Sequence, residues 1–438
     1  MTFLAAFTLG VLALAVRRKQ GTLHPAFLLS AIWAVALFVF SILGPSLGLN
    51  AASSQAVLLI TLGVGAFCAV PLLAPAGALQ APAVSVRVSM LVWSTIAVFV
   101  LFVVGYLVFA RGIGRAAGVD FSELTLSQIR YYQTAEDRSG GGLPGLLYSL
   151  APLSACLFLL SGRAISRVWY VGLVPLLFLV VRSPAKTAAL TVVAASVLFF
   201  GLVRLRSEGR RSSARLVIGL ALVVVLATVY FLVLGSLLGK DRVDPALDPP
   251  AWVPLAMVVP VLYLIGGISA VSLAMEHGLS GTQWGRSAYS VLRLLEAVGF
   301  PIKAPETIAE SVPIPVPFNV FTAFGDLWFD FGAFLTVLIC LILGLTAHRV
   351  YRRARYGSLP FAWLTALAGT WALSSFISFR VLYLDSVFVA LVGALVLFGV
   401  QSGTPPGSVN PADNASDSLS QKLPLARLDA SVRTRQGK

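Results

Sequence analysis

The chain has 438 residues, of which 58% are hydrophobic and only 11% charged, whereas soluble domains carry roughly 25% charged residues. That balance excludes an ordinary soluble domain and points to an integral membrane protein with many crossings. The net charge of +14 does not speak for nucleic acid, because inserted proteins concentrate basic residues in short cytoplasmic loops and most of the surplus here sits in such gaps.

Apolar runs able to span a bilayer, about 17–25 residues each, predict an all-α polytopic fold with about 11–12 transmembrane segments. The spans fall near 1–16, 26–43, 56–74, 88–109, 143–160, 168–181, 185–203, 215–237, 252–273, 330–347, 361–379 and 384–400. The first is followed by Arg17, Arg18 and Lys19; a signal peptide has its positive charge first, so the segment reads as a retained helix. Further basic clusters lie at Arg87, at Arg163 and Arg167, from Arg204 to Arg215, and from Arg349 to Arg355. Placing all of them in the cytoplasm puts the N-terminus outside and the tail inside.

One parity conflict follows. Between Arg215 and His348 three spans are counted where an even number is required, so either 252–273 is re-entrant or broken or Ser287–Phe300 contributes to a further crossing; the first is favoured, with Ser287–Phe300 as an interfacial amphipathic helix. Residues 1–401 then form a single membrane domain with external loops at about 111–142 and 274–329, the first carrying a short surface helix. Residues 402–438, rich in Gly, Pro, Ser and Asp, read as a disordered cytoplasmic tail. No internal repeat is visible.

Cys68, Cys156 and Cys340 lie apart within apolar segments, and His24, His277 and His348 lack ligand spacing; with no GxGxxG or P-loop, neither metal nor cofactor is expected. Charged groups at the edges of apolar spans are the natural site candidates. Arg182 and Lys186 flank a short turn, either as snorkelling helix ends or as a cationic pair for a phosphate. Arg380, with Tyr383 close by, either pairs with Asp385 or meets a ligand. Arg286 and Arg293, seven apart, share a helical face that lines a cavity or rests on anionic lipid. Glu276 follows a segment in which Gly266-Gly267 permits a bend or close approach. Between Pro313 and Gly332, three alternating prolines make an extended entry to the next helix. There Asp326 and Asp330, four apart, form an acidic cap or a polar face of a ligand cavity.

From Asn319 to Leu345 the chain reads NVFTAFGDLWFDFGAFLTVLICLILGL, which resembles the signature of bacterial oligosaccharide repeat-unit polymerases, the Wzy-type O-antigen, capsule and exopolysaccharide polymerases. Asn319, Phe321, Thr322, Phe324, Asp330, Phe331 and Gly332 carry the likeness. YLIGGISAV from Tyr263 resembles the element preceding that family's long external loop, and VRSPAKTAAL its small basic turn. The resemblance implies a glycosyltransferase-C-like membrane fold in a bacterial cytoplasmic (inner) membrane. It also implies joining of polyprenyl-pyrophosphate-linked oligosaccharides at the outer face, alongside a flippase and a chain-length regulator and without nucleic acid. It makes Glu276, Asp326 or Asp330 the base, and assigns the substrate and its pyrophosphate to Arg182, Lys186, Arg286, Arg293, Asn319, Thr322, Arg380 and Tyr383. The alternatives are another lipid-linked-sugar transferase or O-antigen ligase, and a transporter of the same lipids.

Overall fold

The computed structural model describes residues 1–75, 85–135, 142–182, 186–208, 246–247, 249–278, 284–305 and 311–402. The expected span 215–237, the side chain of Lys186 and the tail lie outside the described residues. The first helices are α1 (Thr2–Gln20), α2 (Pro25–Leu43), α3 (Ser54–Leu73), α4 (Val88–Ala117), α5 (Leu126–Ala135), α6 (Gly142–Tyr148) and α7 (Ala151–Ala164). They are followed by α8 (Leu173–Val181), α9 (Lys186–Glu208), α10 (Leu255–Glu276), α11 (Tyr289–Ala297), α12 (Thr322–Arg355), α13 (Leu359–Ser374) and α14 (Leu384–Val400). Six apolar helical stretches, α2, α3, α4, α6 with α7, α10 and α12, are long enough to cross a membrane. The chain is thus a largely helical, multi-pass membrane protein.

Side chains at helical spacing on the outer helices support this. Phe3, Leu4 and Phe7 on α1 are exposed, as are Leu391, Leu395 and Phe398 on α14, which suits a surface covered by lipid tails. Since lipid is as apolar as a leucine core, helices associate there by close packing, and small residues permit it. A Cβ at Gly344 of α12 would fall 2.3 Å from the Phe67 carbonyl oxygen of α3, and one at Gly393 of α14 would strike the Trp363 indole of α13.

Three of the basic clusters gather at one end. Tyr351 donates to the Gln20 carbonyl at 2.7 Å, and Gln20 donates through Nε2 to the Pro71 carbonyl at 2.8 Å. Arg87 N–H donates to Val400 O at 2.8 Å, while Leu359 N–H donates to Gln401 Oε1 at 2.9 Å. These bonds bring Arg17–Lys19, Arg87 and Arg349–Arg355 together. The start of α3 therefore lies toward the opposite end.

Residues 312–318 alternate strictly: Val312, Ile314, Val316 and Phe318 are buried, while Pro313 and Pro317 are exposed and Pro315 is half-buried. The extended entry is a small antiparallel hairpin, β1 (Val312–Pro313) with β2 (Pro317–Phe318), in register Val312 to Phe318. Period-two burial is what a strand does, and prolines are tolerated because such short strands need few ladder donors. The hairpin docks on the Gly266-Gly267 pair, where added Cβ atoms would meet Phe318 at 3.0 Å, Ile314 at 3.2 Å and Thr322 at 2.7 Å.

The break in the membrane helices does not lie where parity suggested. Helix α10 is continuous for 22 residues despite Pro260, because the apolar run is uninterrupted and its glycines serve packing, not bending. Its Ser269 hydroxyl donates to Asn50 O at 2.8 Å, and its Ser272 hydroxyl accepts from Ser53 N–H at 3.0 Å, so its middle meets the start of α3. The discontinuity is in α12, at Gly332 with φ 70° and ψ 178°. Phe324 and Cys340 are separated by sixteen residues, about 24 Å along a straight helix. A Cβ at Gly63 of α3 would nevertheless meet Phe324 at 2.5 Å and Cys340 at 3.5 Å. The chain therefore doubles back: an arm, residues 322–331, lies beside the crossing helix, residues 333–355.

The backbone at Gly332 is open essentially to glycine alone. We expect Gly332→Ala to lower stability by about 1–3 kcal/mol, read as a lowered thermal unfolding midpoint in detergent. Gly10→Ala, at a helical site with no atom within 4 Å of the new methyl group, is expected to leave the midpoint unchanged or raise it.

Candidate functional site

The α12 arm carries Asp326 and Asp330 on one face, as four-residue spacing requires, and neither acts as a cap of its own helix. Asp330 reaches the turn before α11. Its Oδ1 accepts from the N–H groups of Gly285 and Arg286, the latter at 3.2 Å, and its Oδ2 from Ser287 N–H at 2.8 Å and from the Ser287 hydroxyl. With two acceptors filled on each oxygen, Asp330 is a latch on residues 285–287. Asp326 is 2% exposed. Its Oδ2 accepts from Phe379 N–H at 2.8 Å, and its Oδ1 lies 3.6 Å from Arg286 Nε. A buried carboxylate must be paired in this manner, since losing one partner of a buried ion pair costs about 3–5 kcal/mol.

The two acids thereby position the basic groups. Arg286 is pinned through its backbone by Asp330 and through its side chain by Asp326, yet its buried Nε has no hydrogen-bond partner. Arg380 follows the residue that Asp326 holds; its Nε donates to Ser378 Oγ at 3.0 Å and its guanidinium lies 6.0 Å from the Tyr383 ring centre. Asp385 is exposed at the start of α14, accepts from Ser386 N–H at 2.8 Å and forms no ion pair with Arg380 among the described residues. The Tyr383 ring is 6.4 Å from Tyr289, to whose hydroxyl Arg293 donates. Burial first, then the Asp326 charge, pushes the Tyr383 phenol up to about 12, so it stays a neutral donor at physiological pH. Leu384 N–H donates to Ser290 Oγ at 2.6 Å, fastening the start of α14 to α11.

One cluster thus unites Arg286, Arg293, Asp326, Asp330, Arg380 and Tyr383. The other expected residues sit differently. Glu276 is exposed at the last turn of α10, with no hydrogen bond or ion pair to Asp326 or Asp330 among the described residues. Asn319 is exposed beyond β2. Thr322 is buried at φ 66°, and its hydroxyl accepts from Gly325 N–H at 3.2 Å, so it caps the arm. Ala323 N–H donates to the Ser375 carbonyl at 2.7 Å, and Trp33 donates to the Ser375 hydroxyl at 2.8 Å, fixing the arm against α2 and α13. Arg182 stands in another group, 5.8 Å from the Phe121 ring centre and in hydrogen-bonding reach of Tyr106.

Sequence reasoning missed Ser287, Tyr289, Ser290 and Ser378. The seven-residue helical step from Arg286 to Arg293 passes over Tyr289 and Ser290 one turn in, which was the available signal. Among the described residues no group of three His, Cys, Asp or Glu is placed to hold a metal ion.

If Asp330 is a latch, Asp330→Ala frees residues 284–288. We expect faster amide exchange and proteolysis at 284–305 in that variant, with Ser287→Ala having a smaller effect, both measured by hydrogen-exchange mass spectrometry. No family model, curated protein or solved structure matches the chain.

Proposed function

We propose that the chain is a membrane glycosyltransferase that joins polyprenyl-pyrophosphate-linked oligosaccharide units, in the manner of the repeat-unit polymerases that its 319–345 segment resembles. The carrying observation is that the buried Asp326 lies 3.6 Å from Arg286 and holds the N–H of Phe379, which directly precedes Arg380, at the end of the bundle opposite the basic clusters. By the bias of basic residues toward the cytoplasm, that end faces outward, where such lipids present their glycans. A glycosyltransferase-C-like architecture and a bacterial inner-membrane location belong to the same proposal.

In the reaction, the bond between the donor sugar's anomeric carbon and its pyrophosphate oxygen breaks. A bond from that carbon to an acceptor hydroxyl oxygen forms, the hydroxyl proton passes to a carboxylate, and the lipid pyrophosphate leaves with the bonding pair. Pyrophosphate is already a competent leaving group, so orientation and stabilisation of its growing charge dominate. Arg286 and Arg380 supply that stabilisation; Arg293 and Tyr383 extend the donor set. Asp326 is the carboxylate nearest these donors. Asp330 has its acceptor positions filled, so its part is to hold Arg286 in place. Glu276 and Asn319, exposed on the same side, are contacts for the incoming glycan, and a flippase and a chain-length regulator would be functional neighbours.

Incubation of the purified, reconstituted protein with lipid-pyrophosphate-linked repeat units, followed by glycan sizing, tests this. Long chains are expected, and single units left unchanged would overturn the proposal. Arg286→Ala and Arg380→Ala should each slow elongation by about 10²–10³, the usual effect of removing one charge-stabilising donor, with Asp326→Asn at least as severe. Elongation at the parental rate in Asp326→Asn but not in Glu276→Gln would move the base to Glu276.

A further inference from the structure

Helix α4 runs for 30 residues, about 45 Å at 1.5 Å per residue, some 15 Å beyond the hydrocarbon core of a bilayer. Its first residue follows Arg87 at the basic end, so the excess emerges at the other end. The expected span stopped near residue 109; the helix instead carries on to Ala117, lifting Arg111 and Arg115 out of the apolar layer. Tyr106 sits about where the helix leaves the hydrocarbon, the level at which aromatic rings and lipid phosphates meet.

Beyond it the chain folds back. Gly118 closes the helix in the left-handed conformation at φ 70°, and Gly114 allows the return, since a Cβ there would come within 2.9 Å of Val119 O. Ile129 of α5 buries itself against Phe109, Ile113 and Leu124, which fixes the returning segment on the helix. The fold-back leaves a cleft of about 740 Å³, lined by Tyr106, Arg111, Gly114, Arg115, Asp120 and Phe121 among others, within the size range of ligand sites.

The charges in this cleft are unbalanced. Arg111 and Arg115 are exposed, one helical turn apart on the same face, and among the described residues no ion pair or side-chain hydrogen bond engages either. Arg182 from the end of α8 reaches both Phe121 and Tyr106 of the lining. Two guanidinium groups thus line the cleft, with Arg182 behind Tyr106 and Phe121, where Asp120 is the one acid of the lining, and guanidinium pairs with phosphate through parallel N–H···O bonds.

We infer that this cleft binds the phosphate head of a lipid, with Arg111 and Arg115 as its cationic walls, the Tyr106 hydroxyl as a further donor, and Arg182 adding positive charge from behind Tyr106 and Phe121. The site does not require the chemistry at Asp326; only the identification of its occupant with a lipid pyrophosphate rests on the proposed function, the other source being bulk anionic phospholipid. The apolar flank of α4, with exposed Leu107 and Val108, continues into the membrane below the cleft, where the lipid chain would lie.

Native mass spectrometry of the full chain in detergent tests the inference, with farnesyl pyrophosphate, phosphatidylglycerol, inorganic pyrophosphate and the phosphate-free alcohol farnesol as probes. The parent protein should retain at least one phosphate lipid and not farnesol. Arg111→Gln with Arg115→Gln should weaken that retention by about tenfold or more, as loss of charge-assisted bonds does, and Arg111→Lys with Arg115→Lys should restore part of it. Preference for farnesyl pyrophosphate would support a lipid-pyrophosphate occupant, and preference for phosphatidylglycerol would support bulk lipid at the same site. Equal retention by parent and Gln variant, or preference for inorganic pyrophosphate over both lipids, would overturn the inference. No acceptor or turnover enters the measurement, so its failure is separable from failure of glycan elongation.

Discussion

A carboxylate taken out of water has to be answered by donors on the spot, and Asp326 is answered from two other parts of the chain. Its oxygens hold the backbone at Phe379, in the link between α13 and α14, and the side chain of Arg286, in the turn before α11. Three segments far apart in sequence meet at one charge. Asp330 repeats the device one turn later with four donors from residues 285–287. Much of the outer end follows from delivering these two acids to that place. Gly332 turns the chain back on itself, Gly63 admits Phe324, and the Gly266-Gly267 pair accepts the proline hairpin that leads into the arm.

This arrangement separates two tasks that the spacing of the acids left merged. An acid used as a base needs a free lone pair aimed at a proton, whereas an acid used as a clamp has its lone pairs occupied. Asp330 is of the second kind. Asp326 combines features of both, because its Oδ1 contact with Arg286 is long and leaves Nε without an acceptor. An anion entering beside Arg286 would meet a guanidinium whose direction is already set, so little ordering entropy would be lost on binding.

The membrane class, the helical segments and the convergence of basic clusters were legible because each rests on a one-dimensional quantity: the length of an apolar run, or the sign of the charge following it. The short surface helix after α4 and the amphipathic α11 were legible for the same reason, through helical periodicity. The doubling-back at Gly332 was not. A glycine between Phe331 and Ala333 looks like any tolerated helix glycine, and only the presence of Phe324 and Cys340 at the same point of α3 reveals the turn. Parity pointed to 252–273, but α10 is continuous, and a fold-back at the N-terminal end of α12 leaves the number of crossings unchanged, so counting spans could not have found it. The cluster residues split likewise. Arg286 and Arg380 stood out as costly charges, whereas Ser287 and Ser290 work through contacts with residues 43 and 94 positions away and leave no local mark, and Ser378 acts only on Arg380 two residues on.

The end opposite the basic clusters is therefore polar in two places built by different means. Around Asp326 the polar groups are drawn into the protein, paired and fixed, and the backbone there is broken, which membrane proteins tolerate only where protein or a cavity surrounds it. Above α4, Arg111 and Arg115 are carried outward by an overlong helix and engage no ion pair among the described residues. Buried, oriented charge costs stability unless it is paired, whereas exposed charge costs little and is open to ligands arriving from solvent or the lipid surface. A reaction between two amphiphiles has use for both, a place that collects a charged head from the lipid surface and a place that holds it still. Arg182, which belongs to the outlying group and not to the Asp326 cluster, marks the division between them.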